Sequence, residues 1–274
     1  MAILNKDMTM CISIAARPSN VGTRFHNYLY EQLDLNWVYK GFAVDDAIGA
    51  VQGVRALKIR GAAVSMPHKE TVIPLLDELD ESAAAIEAVN TIVNTNGYLK
   101  GYNTDYQAVI QAINKRDIAT DSKVAVRGSG GMAKAVVAAF KNSGFSDLTI
   151  YSRNPVTGEA LAAKYGFKWS DEMQLTQMKS ADILVNVTPL GMEGGNEDEL
   201  SFTADHIQSA SLILEAIAVP AETPLVALAK ENKKEIITGM ESMASQAAIQ
   251  FELYTGITLS SELIASATAF SRLQ

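Results

Sequence analysis

Four polar residues in the first part of the chain lie where the sequence pattern ends a strand or forms a turn. Lys69 follows one predicted strand, Asn90 precedes another, and Asn103 and Asp105 follow the next. Strand ends are where open α/β sheets build their sites. A lysine and a carboxylate held together can exchange a proton with a ligand, so Lys69 and Asp105 are a candidate acid–base pair if their two loops meet.

The surroundings of Lys69 predict a helix that begins at Pro67, because a proline in the first helical position lacks only an N–H that has no partner there. Lys69 would then lie in the first turn, where the positive end of the helix dipole disfavours the ammonium form. We therefore expect a lysine able to exchange protons. A carboxylate from Asp105 would oppose this effect while fixing the side chain.

Each of these residues also has a structural explanation. Asn90 and Asn103 could cap turns, Asp105 could cap the helix predicted to begin at Tyr106, and Lys69 could be solvated. These alternatives stay open at the level of the sequence, because it does not show whether the loops meet.

Histidine and cysteine offer little further chemistry. His68 is interpreted as structural, because adjacent residues in a helical turn point in different directions. The three His and one Cys have no metal-ligand spacing, so we expect no metal site. Cys11 has no intrachain partner and lies among apolar residues, which indicates a buried thiol in a reducing compartment.

A glycine-rich segment fits the pattern G-x-G-x-x-A between a predicted strand at 123–127 and a predicted helix at 132–142. Its residues are Gly128, Ser129, Gly130, Gly131, Met132 and Ala133. Gly128 permits a tight turn, Gly130 lets the backbone approach a pyrophosphate, and Ala133 allows close packing of helix on sheet. The helix N-terminus supplies N–H donors to phosphates. The segment predicts a dinucleotide site, with a glycine-rich turn that binds nothing as the alternative.

The end of the following strand distinguishes NAD from NADP, because an acidic residue there binds the ribose hydroxyls and repels a 2′-phosphate. In this chain the strand leads into Ser152, Arg153 and Asn154, and none of these is acidic. Arg153 can present a planar fork to phosphate. The sequence therefore predicts NADP(H) as the cofactor, with these three residues as contacts. An ordinary solvated arginine is the alternative for Arg153.

The elements that must position these residues follow from periodicity. Short apolar runs rich in Val and Ile alternate with stretches of helical period, which predicts βα units and a mostly parallel sheet. Strands are expected at 11–15, 37–43, 61–66, 123–127, 148–151, 182–187, 212–217 and 235–238, and a hairpin at 91–102 around Asn96-Gly97. Two helices, at 242–254 and 261–272, are expected to close the chain.

Length and composition limit the classes of protein. A chain of 274 residues suits two domains of ~140 residues or one large α/β domain, and 48% hydrophobic residues exclude disorder. A net charge of −8 argues against a broad surface for nucleic acid or anionic lipid. No uncharged run exceeds the twelve residues of 88–99, so we expect no membrane helix and a cytoplasmic protein.

These segments together resemble the shikimate dehydrogenase family, and most closely its shikimate dehydrogenase-like branch, over essentially the whole chain. The resemblance rests on Val64-Ser65-Met66-Pro67-His68-Lys69, Ala88-Val89-Asn90-Thr91, Gly101-Tyr102-Asn103-Thr104-Asp105, the glycine segment, Asn186-Val187-Thr188-Pro189-Leu190-Gly191-Met192 and Gln246. Their number and order make it specific.

The resemblance implies an N-terminal α/β substrate-binding and catalytic domain, residues 1–105 and 242–274. It also implies a doubly wound Rossmann-type NADP-binding domain, residues 106–241, with the C-terminal helices returning to the first domain. The implied reaction exchanges hydride between NADP(H) and C3 of shikimate, which interconverts shikimate and 3-dehydroshikimate in the shikimate pathway of aromatic amino acid biosynthesis. We expect a monomer or a homodimer that binds a small cyclic polyhydroxy acid.

The resemblance also implies roles for single residues. Lys69 and Asp105 would be the catalytic pair, in which the lysine protonates the substrate oxygen and the carboxylate orients the lysine. Asn90, Gln246 and Ser65 would contact the substrate. Thr188 and Gly239 would join the cofactor site.

The departures from the family pattern concern substrate contacts. The usual HSxSP segment reads Ala15-Ala16-Arg17-Pro18-Ser19-Asn20, so only Ser19 is expected to remain, and Arg17 is a candidate replacement contact to a carboxylate. Ala63 stands for an Asn and Ala218 for a Tyr. The loss of one hydrogen bond costs ~1–3 kcal/mol, so slow turnover of shikimate is expected.

Two alternatives follow from these departures. The altered segment before Asn20 could suit quinate or an aminoshikimate-type analogue with the same chemistry. A metabolite or cofactor sensor with little catalysis is the other alternative. The retained Lys69, Asn90, Asp105 and Gln246 argue against the sensor.

Overall fold

The structure, a computed structural model, describes residues 4–273. Residues 1–3 and 274, at the ends of the predicted first domain, lie outside the described residues. The chain forms two compact units: the first runs up to Gln107 and resumes at Ala244, and the second is Ala108–Met243. No helix in the described part is long and apolar enough to cross a membrane.

The elements alternate as expected for an α/β protein. The strands are β1 Thr9–Ala15, β2 Trp37–Ala43, β3 Gly61–Val64, β4 Glu78–Leu79, β5 Thr91–Thr95, β6 Tyr98–Tyr102, β7 Val124–Arg127, β8 Leu148–Ser152, β9 Lys168–Asp171, β10 Ile183–Asn186, β11 Leu212–Glu215 and β12 Glu235–Ile237. The helices are α1 Asn20–Gln32, α2 Ala47–Ala56, α3 Glu81–Ile86, α4 Thr104–Asn114, α5 Gly131–Asn142, α6 Pro155–Tyr165, α7 Ala204–Ser209, α8 Pro224–Glu231, α9 Gly239–Thr255 and α10 Ser261–Ser271.

The first unit contains a mixed sheet with the strand order β2-β1-β3-β5-β6-β4. Its β1, β2 and β3 are parallel, whereas β5 pairs antiparallel with both β3 and β6. The predicted hairpin is confirmed, since Asn96 and Gly97 both have positive φ, 55° and 93°, as a two-residue type I′ turn requires. This topology brings the ends of β1, β3 and β6 and the start of β5 to one edge of the sheet.

From Ala244 onward, α9 and α10 lie in the first unit, as predicted for the C-terminal helices. Tyr28 of α1 stacks on Phe270 of α10 with ring centroids 5.0 Å apart. On α9, Phe251 and Tyr254 are buried in the same cluster as Phe25 of α1. Arg60 ties this helix down further, because its Nε donates to the Tyr254 carbonyl at 2.9 Å. Burial of these aromatic rings stabilises the packing of the two helices.

The second unit is a six-stranded parallel sheet with the order β12-β11-β10-β7-β8-β9. Counted from β7, this is the 3-2-1-4-5-6 order of a Rossmann fold read from its β9 edge. Its central strands are buried apolar runs such as 183–185, as expected where helices cover both faces of a sheet. The predicted fold class is confirmed: two α/β units with C-terminal helices that pack against α1.

The prediction of a helix that begins at Pro67 is wrong. Residues 66–72 form a series of turns, and the first helical residues after them are the 3₁₀ turn Ile73–Leu75. The Lys69 carbonyl accepts the N–H of Val89 at 2.8 Å, so it is not free for the helical i+4 bond. A tertiary backbone contact has replaced the local one, so no helix dipole acts on Lys69.

The packing of α9 on β3 gives a test of how the C-terminal segment stabilises the first unit. A Cβ on Gly61 would overlap the ring of the buried Tyr254. We expect Gly61→Ala to lower the free energy of unfolding, measured by urea titration, by about 2 kcal/mol because the core is overpacked. Gly53→Ala is the matched control, because a Cβ there meets nothing within 4 Å. Since Gly53 is in a helix, this substitution should raise the free energy of unfolding by up to ~1 kcal/mol. Equal effects of the two substitutions would contradict the packing argument.

Candidate active site

Lys69 and Asp105 form an ion pair in the first unit. The distance from Lys69 Nζ to Asp105 Oδ2 is 2.7 Å, and the two side chains are 31% and 19% exposed. A charge-assisted hydrogen bond of this length holds the ammonium in place. The structure therefore brings together the two residues expected to act as an acid–base pair and leaves part of each side chain accessible to a ligand.

The start of α4 explains why the Asp105 carboxylate is available. Asn103 Oδ1 accepts the N–H of Tyr106 at 3.0 Å, and its Nδ2 donates to the Ala88 carbonyl at 2.9 Å. Asn103 thus caps α4, whereas the structural alternative for it was the cap of a turn. Asp105 lies inside the first turn of the helix and pairs with Lys69, so the alternative of Asp105 as the cap is wrong.

Asn90 is buried and its amide orientation is fixed by neighbours. Its Oδ1 accepts the N–H of Thr104 at 2.8 Å and the hydroxyl of Thr91 at 2.9 Å. Its Nδ2 faces Gln246 Oε1 at 3.4 Å. Because the oxygen is already occupied, Asn90 can offer only N–H donors to a ligand. This arrangement suits recognition of an acceptor such as a hydroxyl oxygen.

Gln250, which sequence reasoning missed, holds Thr91, the neighbour whose hydroxyl donates to Asn90. It is buried, and its Nε2 donates to Thr91 Oγ1 at 2.9 Å. Gln246 and Gln250 are four residues apart on α9 and therefore share a face of the helix. From that spacing the sequence could have predicted a second glutamine near the site.

Arg17, Ser19 and Ser65 lie at the same edge of the first sheet, and their side chains make no hydrogen bond to Lys69 or Asp105. They follow β1 and β3, which pair in register at Ile14 and Val64. All three are exposed, and Ser19 makes no side-chain hydrogen bond at the N-cap of α1. Within residues 4–273 none of these three side chains makes a hydrogen bond, which leaves them available to a ligand.

His68 and Cys11 are structural. His68 is buried with its Nε2 at 2.8 Å from the Val44 carbonyl, in agreement with its interpretation from the sequence. Burial raises the pKa of the Cys11 thiol to about 12, so this side chain stays protonated and unreactive. Within residues 4–273 no group of three or more His, Cys, Asp or Glu side chains is arranged to hold a metal ion.

The glycine segment of the second unit has the geometry of a phosphate-binding turn. Gly128 follows β7 with φ of 118°, and a Cβ there would lie 3.0–3.1 Å from Val187 and Thr188. Gly130 is the N-cap of α5 without a side-chain cap, and a Cβ on it would meet nothing within 4 Å. The first N–H groups of α5 therefore face open space, and buried Ala133 lets the helix approach the sheet. These residues fit a dinucleotide pyrophosphate.

A cavity of about 480 Å³ opens at this turn, at the carboxyl ends of β7, β8 and β10. It gathers seven of the residues expected to bind cofactor: Gly128, Ser129, Gly130, Ser152, Arg153, Asn154 and Thr188. Gly131, Met132 and Ala133, which start α5, and Gly239 are outside its lining. The volume is in the range of small-molecule sites.

The three residues after β8 differ in how free their side chains are. Ser152 Oγ accepts the indole N–H of Trp169 at 3.0 Å, and Asn154 Oδ1 caps α6 by accepting the Val156 N–H at 3.0 Å. The Arg153 side chain is 85% exposed. Arg153 is therefore the member of the three whose side chain can reach a ligand.

Thr188 and Gly239 are both fixed by buried groups. Thr188 Oγ1 donates to Asn186 Oδ1 at 2.7 Å, and Asn186 Nδ2 donates to Glu215 Oε1 at 2.9 Å. A Cβ on Gly239 would overlap the backbone of Ile217. Gly239 is thus required by close packing within the second unit.

Glu172 is a second residue that sequence reasoning missed. It lines the cavity and begins a 3₁₀ helix, Glu172–Gln177, directly after β9. No strand is predicted at 168–171 from the sequence pattern, so the pattern does not place this carboxylate at the carboxyl edge of the sheet. Its Oε1 accepts from Arg127 Nη2 at 2.6 Å.

Comparison with known proteins identifies relatives along the whole chain. Residues 20–92 match the family described as shikimate dehydrogenase substrate binding domain. A shikimate dehydrogenase-like protein of Haemophilus influenzae is 54% identical over 98% of this chain and 99% of its own length. The shikimate dehydrogenase (NADP(+)) of Desulforamulus reducens is 34% identical over 85% of this chain and 84% of its own.

Solved structures give the same result. The structure of a shikimate 5-dehydrogenase-like protein is similar with a TM-score of 0.96 and 52% identity, covering 99% of this chain and 100% of that one. Shikimate 5-dehydrogenase from Thermus thermophilus, in complex with NADP(H) and shikimate, has a TM-score of 0.84 and 25% identity over 96% and 100%. The enzyme from Listeria monocytogenes, in complex with shikimate and NAD, has a TM-score of 0.88 and 26% identity over 97% and 98%.

The buried Glu215 predicts a dependence of stability on pH. Burial raises its pKa from 4.5 to about 7, although hydrogen bonds from Ile217, Asn186 and Thr223 oppose the shift. Since the folded pKa is the higher one, the contribution to stability is present below pH 4.5 and is lost as pH rises through 7. Relative to wild type, Glu215→Gln should therefore gain about 2–3 kcal/mol in free energy of unfolding between pH 4.5 and 8. Parallel pH profiles in chemical denaturation would contradict this.

Proposed function

The chain belongs to the shikimate dehydrogenase family of oxidoreductases, and from that premise we propose that it interconverts shikimate and 3-dehydroshikimate by hydride transfer at ring C3. The observation that supports this most directly is the 2.7 Å contact of Lys69 with Asp105 beside the buried Asn90 and Gln246. This reaction would give the protein a place in the shikimate pathway of aromatic amino acid biosynthesis.

The chain's own residues handle the proton of this reaction. As a ketone at C3 is reduced, negative charge grows on its oxygen, and the Lys69 ammonium stabilises that charge and donates a proton to it. Asp105 accepts a hydrogen bond from Lys69 and so keeps the ammonium aimed at one point. In the oxidation direction the neutral amine of Lys69 takes up the hydroxyl proton. NADP(H), when bound, accepts or supplies the hydride.

The remaining polar groups of the first unit would hold the ring. Asn90 can donate to a ring hydroxyl oxygen because its own carbonyl oxygen is occupied by Thr104. Gln246 Oε1 faces Asn90 Nδ2, and its amide can bind a neighbouring hydroxyl. Ser19, Ser65 and the exposed Arg17 would bind the substrate carboxylate. We thus propose residues 1–105 and 242–274 as the substrate-binding domain.

Residues 106–241 would bind the cofactor. The open N-terminus of α5 after Gly130 can hold the pyrophosphate, and the exposed Arg153 favours a 2′-phosphate and hence NADP(H). Relatives differ in this respect, since one is solved with NADP(H) and another with NAD. The preference for NADP therefore has to come from this chain's own side chains.

A second candidate substrate is a related acid such as quinate. The observation that favours it is the segment Ala15-Ala16-Arg17-Pro18-Ser19-Asn20, which lacks one serine hydroxyl and gains a guanidinium. Ala63 and Ala218 also lack polar groups that the family carries at these places. Comparison of kcat/KM for shikimate, quinate and an aminoshikimate with NADP⁺ and with NAD⁺ decides among them.

Substitution of the lysine tests the mechanism. Lys69→Ala should lower kcat by about 10²–10⁴-fold with little change in the binding of NADPH, because the proton donor is removed. Lys100→Ala is the matched control, since Lys100 is also 31% exposed and ion-paired, with Glu78 at 2.7 Å. The kcat of Lys100→Ala should stay within about twofold of the wild-type value.

Two results would contradict the proposal. Activity of Lys69→Ala within a few-fold of wild type would exclude the lysine as the proton donor. Tight binding of NADPH by wild-type protein, with no turnover of any of the three acids, would instead favour a sensor.

Substitution of Arg17 tests whether this residue binds the carboxylate of the substrate. Arg17→Leu should raise the KM for shikimate about tenfold with kcat little changed, whereas Arg17→Lys, which keeps the charge, should show a smaller effect. The neutral carboxamide of shikimate is the control ligand, because its KM should not respond to Arg17→Leu. An equal rise for acid and amide would assign Arg17 to the structure of the loop.

A further inference from the structure

The cofactor cavity contains a carboxylate where its proposed ligand carries a phosphate. Glu172 lines the cavity together with Arg153, and each carries one charge, so the cavity wall by itself is neutral. A carboxylate at this place would accept hydrogen bonds from the ribose hydroxyls of NAD and repel the 2′-phosphate of NADP. By this feature alone the cavity would favour the ligand without the phosphate.

Arg127 changes this balance from behind the cavity wall. It ends β7 directly before Gly128, and its side chain is 18% exposed, the same as that of Glu172. Its Nη2 and Nε donate to Glu172 Oε1 at 2.6 and 2.8 Å. Its Nη1 donates to the Ser201 carbonyl, so the guanidinium is held on two sides.

The other oxygen of Glu172 faces Arg153. The distance from Glu172 Oε2 to Arg153 Nε is 3.7 Å, which is an ion pair without a close hydrogen bond. Arg127, Glu172 and Arg153 thus form a row of alternating charge, and the net charge of the three side chains is +1. Because Arg127 and Glu172 are mostly buried, their mutual attraction is screened less by salt than that of exposed pairs.

We propose that Arg127 is a specificity-determining residue, which neutralises and immobilises Glu172 so that the cavity accepts a 2′-phosphorylated adenosine. With Glu172 engaged by Arg127, Arg153 can turn its exposed guanidinium to the phosphate. Without Arg127, the Glu172 carboxylate is left to compete for Arg153 and to bind ribose hydroxyls. This inference rests on the proposed function, in that the cavity is the site of the adenosine end of the cofactor.

Binding of two adenosine fragments tests the inference without catalysis. The probes are adenosine 2′,5′-bisphosphate and 5′-AMP, and their dissociation constants are measured by calorimetry. Arg127→Leu should weaken the bisphosphate about tenfold and leave AMP within twofold or bind it more tightly. Glu172→Gln should instead strengthen binding of the bisphosphate about fivefold, because Arg153 then has no carboxylate that competes with the phosphate.

The double variant separates a charge effect from a structural one. If Arg127 acts through Glu172, Arg127→Leu should have little further effect once Glu172 is replaced, so the double variant should bind the bisphosphate about as tightly as Glu172→Gln alone. Additive effects of about tenfold and fivefold would instead leave it about twofold weaker than wild type. Arg127→Lys should retain most of the preference because it keeps the charge. If Arg127→Leu does not fold, the opposite sign predicted for Glu172→Gln still tests the inference.

The matched control is Arg116→Leu. Arg116 is 15% exposed and paired with Glu235 and Glu241 in the same unit, and it is absent from the lining of the cavity. It should leave the ratio of the two dissociation constants unchanged. Equal weakening of both probes by Arg127→Leu, or no increase in bisphosphate affinity in Glu172→Gln, would overturn the inference. Failure of wild-type protein to bind either probe would overturn the proposed cofactor site itself, and the inference with it.

Discussion

Asn90 Oδ1 accepts the backbone N–H of Thr104 in a buried hydrogen bond of 2.8 Å, and the rest of the candidate site depends on this contact. It joins the start of β5 to the start of α4. On one side it leaves Asn90 Nδ2 as the group that can donate to a ligand, and on the other it fixes the residue next to Asp105. Since an unpaired buried amide is costly, this geometry is strongly preferred over any rotated one.

Backbone bonds around the same point bring in the lysine. The N–H of Val89, next to Asn90, donates to the carbonyl of Lys69, and the N–H of Asn90 donates to that of Tyr102. Three separate stretches of chain therefore meet at two consecutive residues. The 2.7 Å contact of Lys69 with Asp105 is the consequence of this convergence, so its geometry is set before any ligand arrives.

The sequence predicted what depends on local pattern and missed what depends on tertiary pairing. The parallel strands and the Asn96-Gly97 hairpin follow from periodicity and turn chemistry, and the structure has them. The helix at Pro67 failed because the Lys69 carbonyl is bonded to a residue twenty positions further on, where no local rule reaches. Glu172 was missed because β9 reads Lys-Trp-Ser-Asp, a pattern with little of the β-branched character that marks a strand. A carboxylate at the end of an unrecognised strand cannot be placed at a sheet edge.

Each of the two units combines a partly or mostly buried cation that is paired with a carboxylate and an exposed arginine. In a chain with a net charge of −8, anionic ligands must be held by individual cations rather than by a basic surface. Lys69 and Arg127 are partly or mostly buried, and each is paired with a carboxylate that fixes its position and cancels its charge. Arg17 and Arg153 are exposed, and neither is held by a close carboxylate. The exposed arginines can supply attraction for a carboxylate and a phosphate, whereas the paired cations supply orientation. The carboxylate of such a pair cancels much of the attraction that its cation exerts on an anionic ligand. Substitution of Asp105 or Glu172 should therefore change which ligand binds as directly as substitution of the cations.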